Sequence, residues 1–154
     1  MRRLLVALVL LGAFAACRRT IPNTDILDSA DTRAILAVIE QYRAAAERRD
    51  AAKVMGLVSK SYFDDAGTPD PADDLDYGQL AKAVAADYGR LPSTRLELSV
   101  KQIDVAGDRA VAYLFYEAHY RITTPKGEVP KQEQDVSRMV FAREGGAWKI
   151  TSGL

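Results

Sequence analysis

Seven side chains are of the types that acid–base chemistry needs: Tyr62, Asp64, Tyr88, Tyr116, His119, Asp135 and Arg138. Such groups exchange protons near neutral pH only where burial or a neighbouring charge moves their pKa values there. His119, the single histidine, alternates with Ala118, Tyr120 and Ile122, so on a strand it shares a face with Glu117 and Arg121. Facing inward it would be a proton carrier; facing outward it is one polar group on a wet sheet, and the rival face of alanine, tyrosine and isoleucine favours the outward reading. Asp135 and Arg138 stand three apart and point to opposite faces of one strand. Whichever looks inward needs a partner or neutralisation, which makes it a candidate ligand contact. The tyrosines at 42, 62, 88, 113, 116 and 120 and Trp148 read mostly as core, although a cavity lined by phenols would accept an amphipathic ligand. The candidate ligand-binding set is therefore Tyr62, Tyr88, Tyr116, His119, Asp135, Arg138 and Trp148, with no acid, base and oxyanion set to call catalytic.

Metal and cofactor chemistry find little support. One histidine and one cysteine cannot build a zinc site. The aspartates at 64, 65, 70, 73, 74 and 76 lack the alternate ligands, central glycine and terminal glutamate of a calcium loop, so they read as a solvated loop. No metal and no cofactor are expected. Lys plus Arg and Asp plus Glu are both 21, so there is no basic excess to attract nucleic acid.

The only cysteine has a different chemistry. Met1-Arg2-Arg3 precedes an apolar run from Leu4 to Ala16, which at thirteen residues is too short to cross a bilayer that needs about 20. A basic start, a short apolar stretch and small residues before a cut describe an export signal. Phe14-Ala15-Ala16-Cys17 resembles the bacterial lipobox, in which the cysteine sulfur receives a diacylglycerol and the new N-terminus a fatty acyl chain such as palmitate. The expectation is a signal peptide over 1–16, lipidation at Cys17, a flexible tether over 17–30, and one domain over 31–154. Arg18, where a sorting aspartate would hold a lipoprotein at the inner membrane, implies an outer-membrane location facing the periplasm. Without residues 1–16 the chain keeps 19 basic and 21 acidic residues, an ordinary soluble surface.

The elements that must position these groups follow from periodicity. Ile35, Val38, Ile39, Tyr42, Ala45 and Ala46 form a helical stripe from Asp31, with Asp28 or Asp31 as its cap. Asp50 opens a shorter second helix, and a third runs from about Tyr77 to Leu91, where Pro92 stops it. The period then drops to two: Leu96, Leu98 and Val100 alternate, and Ile103 and Val105 switch phase, which predicts a bulge near Gln102. Ala110–Ile122 is so apolar in its first half that both faces should be covered. Strands from about Gln132 to Arg143 and Ala147 to Gly153 complete a meander, with a short strand near Tyr62. Segregated helices and strands give an α+β domain in which a strongly bent antiparallel sheet wraps three N-terminal helices as a cone.

This order, the Arg48-Arg49-Asp50 turn, and the ending from Arg138-Met139-Val140-Phe141 through Gly145-Gly146-Ala147-Trp148-Lys149-Ile150 resemble the nuclear transport factor 2-like (SnoaL-like) superfamily, especially its lipoprotein members. The resemblance implies the cone-shaped fold, which hosts isomerases, cyclases, dehydratases and members without chemistry, so it does not carry an activity with it. The leading expectation is a membrane-tethered, non-catalytic domain that binds a small apolar ligand or an envelope protein. The alternatives are a proton-transfer enzyme of isomerase or dehydratase type, and a homodimer formed through the sheet face.

Overall fold

A computed structural model describes residues 19–91 and 93–154. The export signal, Cys17, Arg18 and the helix-stopping role of Pro92 lie outside the described residues.

Helix α1 (Ala30–Glu47) opens at Ser29 and not at either aspartate beside it. The Ser29 hydroxyl accepts from Thr32 N at 3.1 Å, and the Thr32 hydroxyl accepts from Ser29 N at 2.9 Å, a reciprocal cap that satisfies two otherwise orphaned donors. The aspartates are engaged elsewhere. Asp28 holds Arg33 through bonds of 2.5 and 2.6 Å, and Asp31 takes Arg143 at 2.5 Å. The buried stripe of α1 includes Ile35, Val38, Ile39, Ala45 and Ala46, as the spacing predicts. Arg49, at φ 56°, turns the chain into α2 (Ala51–Leu57), which Asp50 caps.

After α2 the chain lies parallel to the last strand at Val58 and Ile150. Strands β1 (Phe63–Asp64) and β2 (Leu75–Asp76) then pair across the acidic loop. Inside that loop the aspartates act as turn formers: Asp65 accepts from Gly67 N, Asp70 from Ala72 N, and Asp73 from the Thr68 hydroxyl. Helix α3 (Tyr77–Arg90) is capped by Asp76.

Four strands follow as an antiparallel meander in the order β3 (Thr94–Ala106), β4 (Arg109–Thr124), β5 (Gly127–Glu144), β6 (Ala147–Ser152). The bulge expected near Gln102 is present, between Val100 and Gln102, and a second lies between Val140 and Phe141 where β5 meets β6. Each bulge bends its strand, and together they curl the sheet around α1. Strand β5 starts earlier than the sequence pattern suggests. Its polar first half continues the ladder with β4 beyond the core, and Pro130 is tolerated there because short β6 pairs only with residues 140–144. The β5–β6 turn is a two-residue hairpin with Gly145 and Gly146 at φ 56° and 83°, the left-handed pair that matches strand twist.

The core lies between α1 and the concave face of the sheet, where Ile35, Leu114, Met139, Phe141 and Ile150 are almost wholly buried. Among the described residues the double coverage expected for the first half of β4 is not found. Ala110, Ala112 and Leu114 are buried on the concave face, whereas Tyr113 on the convex face is 37% exposed and its neighbour Val136 is 70% exposed. Among the described residues the three helices lie on one side, so the apolar run of β4 serves a core on that side and faces no other described element on the other.

Residues 19–29 also depart from the tether reading. Thr20 bridges Leu27, Asp28 N donates to Arg19 O at 2.8 Å, and Ile26 is 3% exposed in the core. The segment is a hairpin folded onto the domain.

Candidate functional site

The sheet is longer than the helices that cover it, so its concave face continues past the core into a cavity of about 310 Å³. Helix α1 contributes Tyr42 and Ala46, α3 contributes Tyr88 with Leu91 just beyond it, and the sheet contributes Thr94 and Leu96 from β3 and Leu114, Tyr116, Ala118 and Tyr120 from β4. The strand residues alternate in sequence and so share the concave face. Ser137 and Met139 of β5 and the terminal Gly153 and Leu154 close the far wall. Past Leu91 and Tyr120 the cavity gives onto an open mouth of about 760 Å³, rimmed by Asp87, Arg90 and Glu133.

The electrostatics are those of uncharged phenols. Burial, with the nearby phenols of Tyr88, Tyr62 and Tyr116 adding repulsion, pushes Tyr42 far above the ordinary tyrosine range. Burial likewise raises Tyr88 and Tyr116, and the Asp87 and Asp135 carboxylates add to this respectively. Tyr120 is raised by partial burial and by Glu133 beside it. At neutral pH these residues offer O–H groups and aromatic faces, not negative charge. Thr94 adds a further hydroxyl: its Oγ1 is buried and has no hydrogen-bond partner among the described residues.

Of the sequence-derived candidates, the cavity gathers Tyr88 and Tyr116. Tyr62 stands behind its wall. Its hydroxyl donates to Asp64 Oδ2 at 3.2 Å and accepts from Leu154 N at 3.2 Å, and burial pushes its pKa up to about 12. Asp64 Oδ2 also accepts from Gly153 N at 2.5 Å and Ser152 Oγ at 3.4 Å, while Oδ1 accepts from Ala66 N at 3.0 Å. The Tyr62–Asp64 pair thus clamps the last residues of the chain onto the domain. Trp148 is in the core at the opposite end, its Nε1 donating to Asp31 at 3.4 Å and its ring beneath Arg143.

His119 is on the convex face, bonded at 2.8 Å to Glu117, which Gln132 also contacts. It does not line the cavity, although it shares a surface recess with Thr94 and Tyr120 at the cavity's edge. Asp135 faces Tyr116 across β4 and β5 and so takes the concave side, whereas Arg138 faces Tyr113 on the convex side; both are exposed. Asp135 belongs to the approach to the cavity and not to its wall.

Sequence reasoning read Tyr42 and Tyr120 as core and passed over Thr94, Leu96, Ala118 and Ser137. The alternation of residues 94–100 and 114–120 does mark one face of a strand pair, but only the span of α3 decides where the helices stop covering it. Arg49 was also passed over. Its guanidinium donates to Leu91 O at 2.6 Å and ties the α1–α2 turn to the end of α3, fixing one lip of the cavity.

The geometry has counterparts among known proteins. Residues 35–153 match the family model described as a SnoaL-like domain. A nuclear transport factor 2-like superfamily protein from Salmonella enterica superimposes with a TM-score of 0.65 at 16% identity, covering 81% of this chain and 90% of that one. A Kribbella flavida protein gives a TM-score of 0.68 at 14% identity over 80% of this chain and 87% of its own. A candidate dehydratase of the nuclear transport factor 2-like family from Streptomyces avermitilis gives 0.64 at 19% identity over 80% and 93%. A search of curated proteins found no match. The matched span takes in every wall of the cavity except Leu154, and the chain belongs to the SnoaL-like family with the nuclear transport factor 2-like fold.

Proposed function

We propose that the domain binds a small amphipathic molecule, with an apolar body and one or two oxygen atoms, in the tyrosine-lined cavity and releases it unchanged. We place it outside the cytoplasm, held to a membrane through lipid on Cys17. The observation that carries the binding reading is the lining itself: phenols, a threonine and a serine among leucine, alanine and methionine, with neither a carboxylate nor an imidazole side chain among the described residues. Apolar walls with a few polar groups are what ligand recognition requires, and the volume falls at the small end of the roughly 300–1,000 Å³ common for such sites. Proton transfer at neutral pH requires a base that is deprotonated there, and phenols pushed upward by burial are poor bases.

A proton-transfer reading has one observation in its favour, the Tyr62–Asp64 pair next to the wall. Asp64, however, already accepts from four donors. Both of its oxygens are thereby occupied in holding the backbone and Tyr62, which leaves it poorly placed to trade protons with a substrate.

Native mass spectrometry of protein extracted in mild detergent from its own cells tests both halves. The expected result is a polypeptide beginning at Cys17, heavier by a diacylglycerol and an acyl chain, with a small molecule retained at one per domain. An unmodified thiol at position 17, or an uncleaved chain in the cytosol, overturns the tether. Release of a chemically altered molecule when the retained one is added back overturns the non-catalytic reading.

A further inference from the structure

Within that binding site we infer that Thr94 selects the ligand: its hydroxyl meets an oxygen of the bound molecule at the neck between cavity and mouth, leaving the ligand's apolar part against Leu96, Leu114 and Met139. The inference rests on the binding reading above. Thr94 Oγ1 is the buried side-chain oxygen or nitrogen that lacks a partner among the described residues. A buried hydroxyl left unbonded is costly, and native structures seldom tolerate one without a functional reason. Its position fits such a role. Thr94 begins β3 and faces Tyr120 across the β3–β4 ladder, and Tyr120 borders both the inner cavity and the mouth.

The neighbouring groups determine what the hydroxyl can select. Leu96 and Leu114, further along the same concave face, are almost fully buried and apolar. A molecule entering with a hydroxyl or carbonyl leading would set that oxygen beside these leucines and Ser137, whose hydroxyl already donates to Gly153 O at 3.4 Å, so the polar end stays at the neck beside the unpartnered Thr94. Thr94 can both donate and accept, so it suits an alcohol, phenol or ketone. The ligand class is therefore a neutral apolar body, of bicyclic size or smaller, bearing one such oxygen at an end.

Thr94→Val keeps the side-chain shape and removes the hydroxyl. The probes are 2-naphthol and 2-methylnaphthalene, alike in size and differing by one oxygen, with binding followed by fluorescence or calorimetry. Wild-type protein is expected to bind both. The variant is expected to lose about three- to tenfold in affinity for 2-naphthol, the worth of one net hydrogen bond, and to hold 2-methylnaphthalene as tightly or more so. Without ligand, the variant should melt at the same temperature or higher, because the orphaned hydroxyl is gone. Equal losses for both probes, no loss for either, or a lower melting temperature with unchanged selectivity would overturn the role of Thr94 and leave the binding site standing. Failure of wild-type protein to take up either probe would instead end the binding reading and this inference with it.

Discussion

Asp64 shows how a residue with the right chemistry can be put to structural use. Its type and its place beside Tyr62 suggest catalysis, yet its four hydrogen bonds tie β1 to the end of the chain. Asp64→Ala would free the Gly153 amide and the Tyr62 phenol together. A loss of about 1–3 kcal/mol is expected, or roughly 2–10 °C in melting temperature for a domain of this size, with probe binding kept at temperatures where the variant is folded. Loss of binding without loss of stability would return Asp64 to the list of functional groups. The phenols give a second test at this scale. Their pKa values are raised on folding, so they contribute stability that is present below the unfolded value of about 10. That contribution is lost as pH rises through the folded values, near 12 for Tyr62. Melting temperature should therefore hold until about pH 9–10 and fall between there and about 12, and Tyr42→Phe should soften the fall. Complete phenol ionisation by about pH 10.5 in protein that is still folded would contradict the burial of these rings.

Elements were more legible than the site, and the reason lies in what each kind of sequence signal reports. The α1 stripe, the Asp50 cap and the bulge near Gln102 are written locally, as period and phase, and the structure contains all three. The cap at Ser29 was obscured because the neighbouring aspartates are equally good capping types, and only the distant Arg143 explains why Asp31 is engaged elsewhere. The face taken by His119 was readable from alternation, whereas the cavity was not, since it depends on where α3 ends relative to strands far away in sequence. Gly153 marks the same limit. Its φ of 93° and the carbonyl of Arg138, only 2.2 Å from where a Cβ would lie, make it the point at which the chain leaving β6 crosses close over β5. Gly153→Ala forces backbone against backbone, so a loss of about 2–4 kcal/mol is expected from the left-handed conformation and overpacking together. Because Gly153 also lines the cavity, the variant should bind both naphthalene probes more weakly even where it is folded. Wild-type melting behaviour in this variant would show that the crossing is looser than described.

At the scale of the whole molecule, the hairpin at residues 19–29 changes how the domain would sit on a membrane. A free segment of thirteen residues could reach at most about 45 Å at roughly 3.3–3.6 Å per residue, and would let the body stand clear of the headgroups. With Thr20 bridged to Leu27 and Ile26 in the core, only the links from Cys17 to Arg19 remain, a reach of about 7 Å. A lipid on Cys17 would therefore hold the domain against the bilayer, at the end where the hairpin meets α1. Neutron reflectometry of the lipidated protein on a supported bilayer should find the domain's protein density starting within about 10 Å of the headgroups, given that reach. The anchoring residue is testable apart from the lipid. Ile26→Ser removes a buried apolar side chain, which at this burial is worth about 2–5 kcal/mol, and puts a hydroxyl in its place. Trypsin should then cut after Arg19 many times faster than in wild-type protein, with the rest of the domain resisting. On the bilayer the same variant should move outward by tens of ångströms, towards the full reach of the freed segment. A domain layer at equal height in the two proteins would mean that the hairpin does not set the distance.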